Sequence, residues 1–320
     1  MPARKPAPGP ERPPAPDYDG HYKLMFGDPV MVRDLLQTFA PPDIAATLDY
    51  STLKPLPTEF IDERTGKKRR SDSIWQIHKK DGSPCYVAIL LEFQSQSDHF
   101  MAVRVLVYSG LFLQSLARTD PRVRTQGFPP LLPFVIYIGP ANWDAEEEMA
   151  NLFMPMDKAL EPFNPRQRYL PVKVRALTAE ELARGGIATQ VFRLERSNNP
   201  EELKNLVEDT IAHFAEDEYN NIRRLIAGWL RSVMIDRLHI TEEEVPVLES
   251  LEGVRTMLAE NMDRWKEQYI QQGEARGGLN MLVSLVHDGL LQPAAAAAKA
   301  NMSEEEFKAR MREREKTGQA

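Results

Sequence analysis

The sequence predicts an α/β fold followed by a helical C-terminal region, on three observations. Residues 69–94 alternate with period two on either side of an Asp81-Gly82 turn dipeptide, the pattern of a β-hairpin. Around that hairpin, helical and strand patterns follow in the order α-β-β-β-α-β, which sets helices against a sheet. From Asn199 onward apolar residues recur at helical spacing and strand patterns cease.

Each element has its own reason. Residues 1–20 are rich in proline, poor in apolar side chains and without periodicity, so they are expected to be disordered. His21 to Phe26 read as helix. Asp28 then caps a second helix that has Pro29 in its first turn and Val30, Leu35, Leu36 and Phe39 on its apolar face. A short helix is expected from Asp43 to Asp49, after two prolines. Leu53 to Pro57 reads as a strand, with Phe60-Ile61 extending or restarting it. After the hairpin, the polar Ser95 to Asp98 leads into a long apolar helix from His99 to Arg118, whose many large side chains suggest burial on more than one face. Leu132 to Ile138 is the next strand. Residues 143–169 carry no clear pattern, and Leu170 to Ala176 reads as a further strand. The helical part opens at Asn199-Pro200, where Glu202 completes a capping box. Stripes at Ile222 to Val233 and, after Thr241 and Glu244, at Leu248 to Leu258 follow. Leu279 to Leu290, an alanine-rich helix from Pro293, and a helix capped by Ser303 and Glu306 close the chain.

The hairpin carries the chemistry. Side chains alternate along a strand, so Asp72, Ile74, Gln76 and His78 share one face, and Tyr86, Ala88, Leu90, Glu92 and Gln94 share one face of the next strand. A reversal at Asp81-Gly82 sets Asp72 opposite Leu91 or Glu92, a one-residue bulge deciding which. Two carboxylates converging at the end of an apolar hairpin are destabilising unless a proton or a cation lies between them. A divalent metal resolves this most simply, and hard oxygen ligands suit magnesium or manganese.

At these residues the chain resembles the Rpn group of recombination-promoting nucleases, also described as YhgA-like transposases, within the PD-(D/E)XK nuclease superfamily. The resemblance rests on SD followed by an apolar strand, a turn, and a second apolar strand ending in LLEFQS. It begins at HYKLMFGDP near His21 and runs through LPFVIYIGP. It implies a restriction-endonuclease-like αβββαβ core over residues 21–196, with residues 197–320 as a separate helical region. It also implies magnesium- or manganese-dependent hydrolysis of DNA phosphodiester bonds, connected with recombination. On the matching positions, Asp72 and Glu92 are the expected metal ligands. Gln94 stands where the superfamily has lysine, in the glutamine form that the Rpn group shows. An amide orients water or binds phosphate but exchanges no proton at neutral pH, which puts the base role in doubt. Asp62 or Glu63, and Asp28 or Asp34 from the first helices, are candidates for a further ligand. Arg104 and Tyr108 stand one helical turn apart on a common face and either reach phosphate, brace the acids or, the plainer alternative, buttress the core. The alternative, supported by the missing lysine and the acidic net charge, is a non-catalytic nuclease fold serving as a DNA-binding or self-association module.

Composition fits this outline. Of 320 residues, 42% are hydrophobic and 27% charged, an ordinary globular balance, and no apolar run is long enough to span a bilayer. The single cysteine, Cys85, excludes an intrachain disulfide framework and paired-thiolate zinc sites, and a cytoplasmic location is expected. The net charge of -7 argues against a protein that coats nucleic acid, but Arg64, Lys67, Lys68, Arg69 and Arg70 reverse the sign locally. Lys67 to Arg70 are candidate DNA contacts, against a solvated loop as the plainer alternative. The C-terminal helices are expected to oligomerise the chain. Three glutamates at the start of the last one disfavour phosphate binding there.

Overall fold

The structure, a computed structural model, describes residues 18–56, 59–61, 68–70, 73–92, 97–139, 142–197, 199–237, 249–287 and 290–316. Two helices come first, α1 (Tyr18–Met25) and α2 (Pro29–Phe39), then one turn, α3 (Pro42–Ala45). The strands β1 (Leu48–Leu56), β2 (Glu59–Ile61), β3 (Lys68–Arg70), β4 (Ser73–Lys79) and β5 (Pro84–Glu92) follow. Helices α4 (Met101–Thr119) and α5 (Val123–Gln126) lead to β6 (Leu131–Tyr137) and β7 (Leu170–Lys173). The main sheet has the order β1-β4-β5-β6-β7, while β2 and β3 form a separate two-stranded ribbon. Strands β1, β4 and β5 are mutually antiparallel; β5, β6 and β7 are parallel. The central β5 is paired on both edges, and its run CYVAILL is buried on both faces.

The β4–β5 hairpin reverses over three residues rather than two. Lys79 N donates to Ser83 O (2.8 Å), and Gly82 takes φ +84, a conformation costly for a side-chain-bearing residue. Asp81 Oδ1 accepts from both the backbone and the hydroxyl of Ser83, which holds its carboxyl below the usual range. The extra turn residue shifts the register, so Ser73 pairs with Ile89 and Ile74 with Ala88. The even-numbered residues of β4 and β5 share a face. Glu92 therefore lies on the same side as Ile74, Ala88 and Leu90.

That face is covered by α4. Its buried residues, Met101, Ala102, Val105, Ser109, Phe112 and Leu116, fall on one stripe; Leu106 and Leu113 are only half-buried and Val107 is exposed. The helix thus buries one face, not several. Its large apolar side chains meet Tyr86, Leu90 and Val135, each contributing about 1.5–3 kcal/mol of burial. The opposite face receives α1 and α2, and Trp75 Nε1 donates to Phe26 O across that interface. Some expected boundaries moved: the strand expected over 170–176 ends at Lys173, and Val174–Ala176 turn into a short 3-10 helix. Residues 48 and 49, expected in a helix, open β1 because they pair with Lys79 and His78. The β1 irregularity after Asp49 is stitched by Thr52, whose hydroxyl accepts from His78 N at 2.8 Å.

Beyond the sheet lie α6 (Ala179–Leu182), α7 (Ile187–Arg196), α8 (Pro200–His213) and α9 (Asn220–Arg237). Of these, α7 packs on α2 and α9 on α1. Tyr22 meets Trp229 edge-on, and Asn221 donates to Asp28. By packing, Met1–Asn198 with Glu202–Met257 form one compact unit, and Asn199–Glu201 with Leu258–Ala320 another. The chain runs from one to the other along α10 (Leu251–His287), a single helix where two segments were expected, since it holds no proline and Gly277 and Gly278 stay helical. The second unit has its own core of Val283, Ala296, Ala297 and Phe307, built from α10, α11 (Pro293–Lys299) and α12 (Glu304–Lys316). Ser303 and Glu306 form the expected reciprocal cap. Thr241 and Glu244 lie outside the described residues.

Candidate active site

Glu92 ends the central strand. Its backbone carbonyl accepts from Ile138 N at 3.0 Å, continuing the parallel ladder in which Glu92 pairs with Tyr137. Its side chain, on the face covered by α4, is 4% exposed. A carboxylate so shielded needs a compensating charge. Arg104, one turn into α4, supplies it: Arg104 Nη1 donates to Glu92 Oε2 at 2.5 Å. The same nitrogen lies 3.3 Å from Asp98 Oδ2.

Asp98 is fixed by the turn that starts α4. Its Oδ1 accepts from Phe100 N at 3.0 Å and its backbone carbonyl from Met101 N. One carboxylate oxygen thus organises the helix start and the other faces Arg104. Burial works to lower the Arg104 pKa, but hydrogen bonds and charge from Glu92 and Asp98 outweigh it, and the guanidinium is held above its ordinary value. Tyr108, a turn further on, is half-buried against the α4-side core.

Residues 143–169, unassigned from sequence, close the same end of the sheet. Tyr137 and Trp143 rings lie 4.7 Å apart, and Asp144 hydrogen-bonds to Ser97. Tyr169 donates to Glu146 O; burial first, then Glu147, Glu146 and Asp98, push its phenol far up. An open cavity of about 400 Å³ is lined by Trp143 to Glu148, Asn151 and Arg168, and its acids oppose phosphate. Lys173 at the end of β7 pairs with Glu147 at 3.2 Å.

Of the residues singled out from sequence, the structure brings Glu92, Arg104 and Tyr108 together. Asp72, Gln94, Asp62, Glu63 and Lys67 lie outside the described residues. Lys68, Arg69 and Arg70 form strand β3, paired with Ile61, Phe60 and Glu59, rather than a loop. Asp28 and Asp34 are engaged away from Glu92: Asp28 caps α2 and accepts from Asn221, and Asp34 accepts from Ala188 N. Asp98 was missed; its signal was an acid just ahead of a helix, within two turns of the half-buried Arg104. Among the described residues no three His, Cys, Asp or Glu side chains gather as a metal-binding group.

A family model described as "Putative transposase, YhgA-like" matches residues 16–223. The chain belongs to that family. Among curated proteins the chain is similar to the recombination-promoting nuclease RpnD of Escherichia coli O157:H7, 28% identical over 122 residues, which is 38% of this chain and 45% of that protein. RpnA of Escherichia coli K12 is 31% identical over 122 residues, 38% of this chain and 40% of that protein. The matches thus span under half the length of these two relatives. A third relative from Escherichia coli K12, "Putative inactive recombination-promoting nuclease-like protein YjiP", is 29% identical over 92 residues, 29% of this chain and 87% of that protein. No solved structure matches. Among the described residues, no helix is long and apolar enough to cross a membrane.

Proposed function

We propose that this member of the YhgA-like family is a metal-dependent DNA endonuclease that hydrolyses phosphodiester bonds in connection with recombination. One observation carries the reading: a shielded carboxylate at the end of the central strand, Glu92, held against a cation by the helix that follows it. The order α2, β1, β4, β5, α4, β6 supports a restriction-endonuclease-like core.

Glu92 fits a divalent cation in donor chemistry, since carboxylate oxygens are the hard ligands that magnesium and manganese take. Asp72 is proposed as the second ligand and Asp62 as a further one. When bound, the metal supplies a water of lowered pKa and a counter-charge for the non-bridging oxygen. Gln94 orients that water or the phosphate without exchanging a proton. In the metal-free site Arg104 braces the acid from α4, with Tyr108 one turn further along the helix. Lys68, Arg69 and Arg70 of the β2–β3 ribbon, with Lys67 just ahead of them in the chain, bring positive charge to the DNA backbone. We assign the C-terminal helices to self-association and the protein to the cytoplasm.

A relative named as inactive, together with Gln94, favours a second reading, in which the fold binds DNA or itself without cleaving. Supercoiled plasmid incubated with magnesium or manganese separates the two. Cleavage by the wild type that is lost in Asp72→Ala and Glu92→Gln supports the nuclease. Cleavage persisting in both variants removes the proposed site, and binding without cleavage under either metal supports the module.

A further inference from the structure

The proposal here rests on the metal-dependent reading above and concerns residues outside its ligand set. Glu92 already holds a cation, Arg104, on the oxygen Oε2 that a metal would compete for, and two positive charges on one shielded carboxylate repel each other. Arg104 therefore has to yield that oxygen. The structure shows a second seat: the same Nη1 that donates to Glu92 lies 3.3 Å from Asp98 Oδ2. Asp98 cannot drift away, because its Oδ1 is committed to Phe100 N at the start of α4.

We propose that Asp98 is a positioning residue that receives the Arg104 guanidinium when a divalent cation takes Glu92. Arg104 is then a resident counter-ion of the metal-free site, and Asp98 sets how readily it is exchanged. Retreat onto Asp98 breaks one charged hydrogen bond while keeping the guanidinium paired, whereas retreat into solvent leaves a partly buried arginine without that partner. Asp98 acts on the metal through Arg104 and is not a ligand.

The test is manganese binding to the whole protein, followed by the electron paramagnetic resonance signal of free Mn²⁺, with no nuclease readout. Asp98→Asn keeps an oxygen for Phe100 N but removes the charge, so the helix start is preserved. It is expected to weaken Mn²⁺ binding about tenfold, Arg104→Met to tighten it by a similar factor, and Arg104→Lys to fall between the wild type and Arg104→Met. In the double variant Asp98→Asn/Arg104→Met, the effect of the Asp98 change should vanish, because its route of action is gone. An undiminished tenfold loss in that background would make Asp98 a direct ligand and overturn the exchange. So would unchanged binding in both single variants while Glu92→Gln abolishes it; the metal reading would then stand alone. Wild-type protein that binds no Mn²⁺, or binds it equally after Glu92→Gln, overturns the metal reading itself and the exchange with it.

Discussion

Arg104 Nη1 and Glu92 Oε2 lie 2.5 Å apart, joining α4 to the last residue of the central strand. The pair is asymmetric: the Glu92 side chain is 4% exposed and that of Arg104 35%. Removing the guanidinium leaves charge in a shielded place, so Arg104→Ala should destabilise the fold by about 2–3 kcal/mol, below the value for a fully buried pair because water reaches the arginine. Chemical denaturation of the two proteins measures this. Glu92→Gln should cost less, since its amide keeps a hydrogen-bond acceptor and the stranded charge is then the better-solvated one. The reverse ranking would show that Arg104 contributes little to holding the strand end.

A second relationship sits across the sheet. Asp34 on α2 accepts from Ala188 N at 2.7 Å and so caps α7 from another element. Gly186 lets it approach, since a Cβ there would lie 1.6 Å from Asp34 Oδ1. Gly186→Ala should therefore destabilise by about 1–3 kcal/mol through overpacking. Asp34→Ala alone should lose a cap, about 1 kcal/mol. Combined, they should cost less than their sum, because the shortened side chain makes room. Strict additivity by thermal or urea unfolding would rule out the clash as the cause.

Burial raises the Asp34 pKa, and the hydrogen bond from Ala188 and the charge of Arg33 only partly offset this. A folded-state pKa above the unfolded one means that the native protein binds the proton more tightly. Stability should thus fall as pH rises from about 4, the unfolded carboxyl value, through the folded-state pKa, and stay level above it. Asp34→Asn keeps an oxygen for Ala188 N and removes the titration. The stability difference between variant and wild type should shift in the variant's favour across that window, and a difference independent of pH would contradict the assignment.

The ribbon of β2 and β3 offers a test of the DNA reading. Replacing Lys68, Arg69 and Arg70 with alanine should weaken DNA binding evenly across sequences. The salt dependence of log K should lose about 0.9 per phosphate contact removed. An unchanged slope in a titration against sodium chloride would return these residues to solvent.

Much of the fold was legible. The DG turn and period-two alternation marked the hairpin, Asp28-Pro29 marked the start of α2, and Ser303 with Glu306 marked α12. These are local devices, fixed by backbone and side chains within a few residues. What failed was non-local. Leu48 and Asp49 looked helical because the pairing with Lys79 and His78 that makes them strand comes from 30 residues away. One local device also misled: Lys80 joins Asp81-Gly82 as a third loop residue and moves the register by one, to the side that the dipeptide reading did not allow for.

By itself the sequence determined the α/β class, the face that Glu92 shares with Leu90 and Ala88, and the resemblance that the family match bears out. The tertiary structure alone decided that the cation facing Glu92 is Arg104, that Asp98 stands beside it, and that Asp28 and Asp34 serve helices elsewhere. The reason is physical. Alternation and capping act over a few residues of chain, whereas a carboxylate's counter-charge is set by whichever element folds across it, and no spacing rule encodes that meeting.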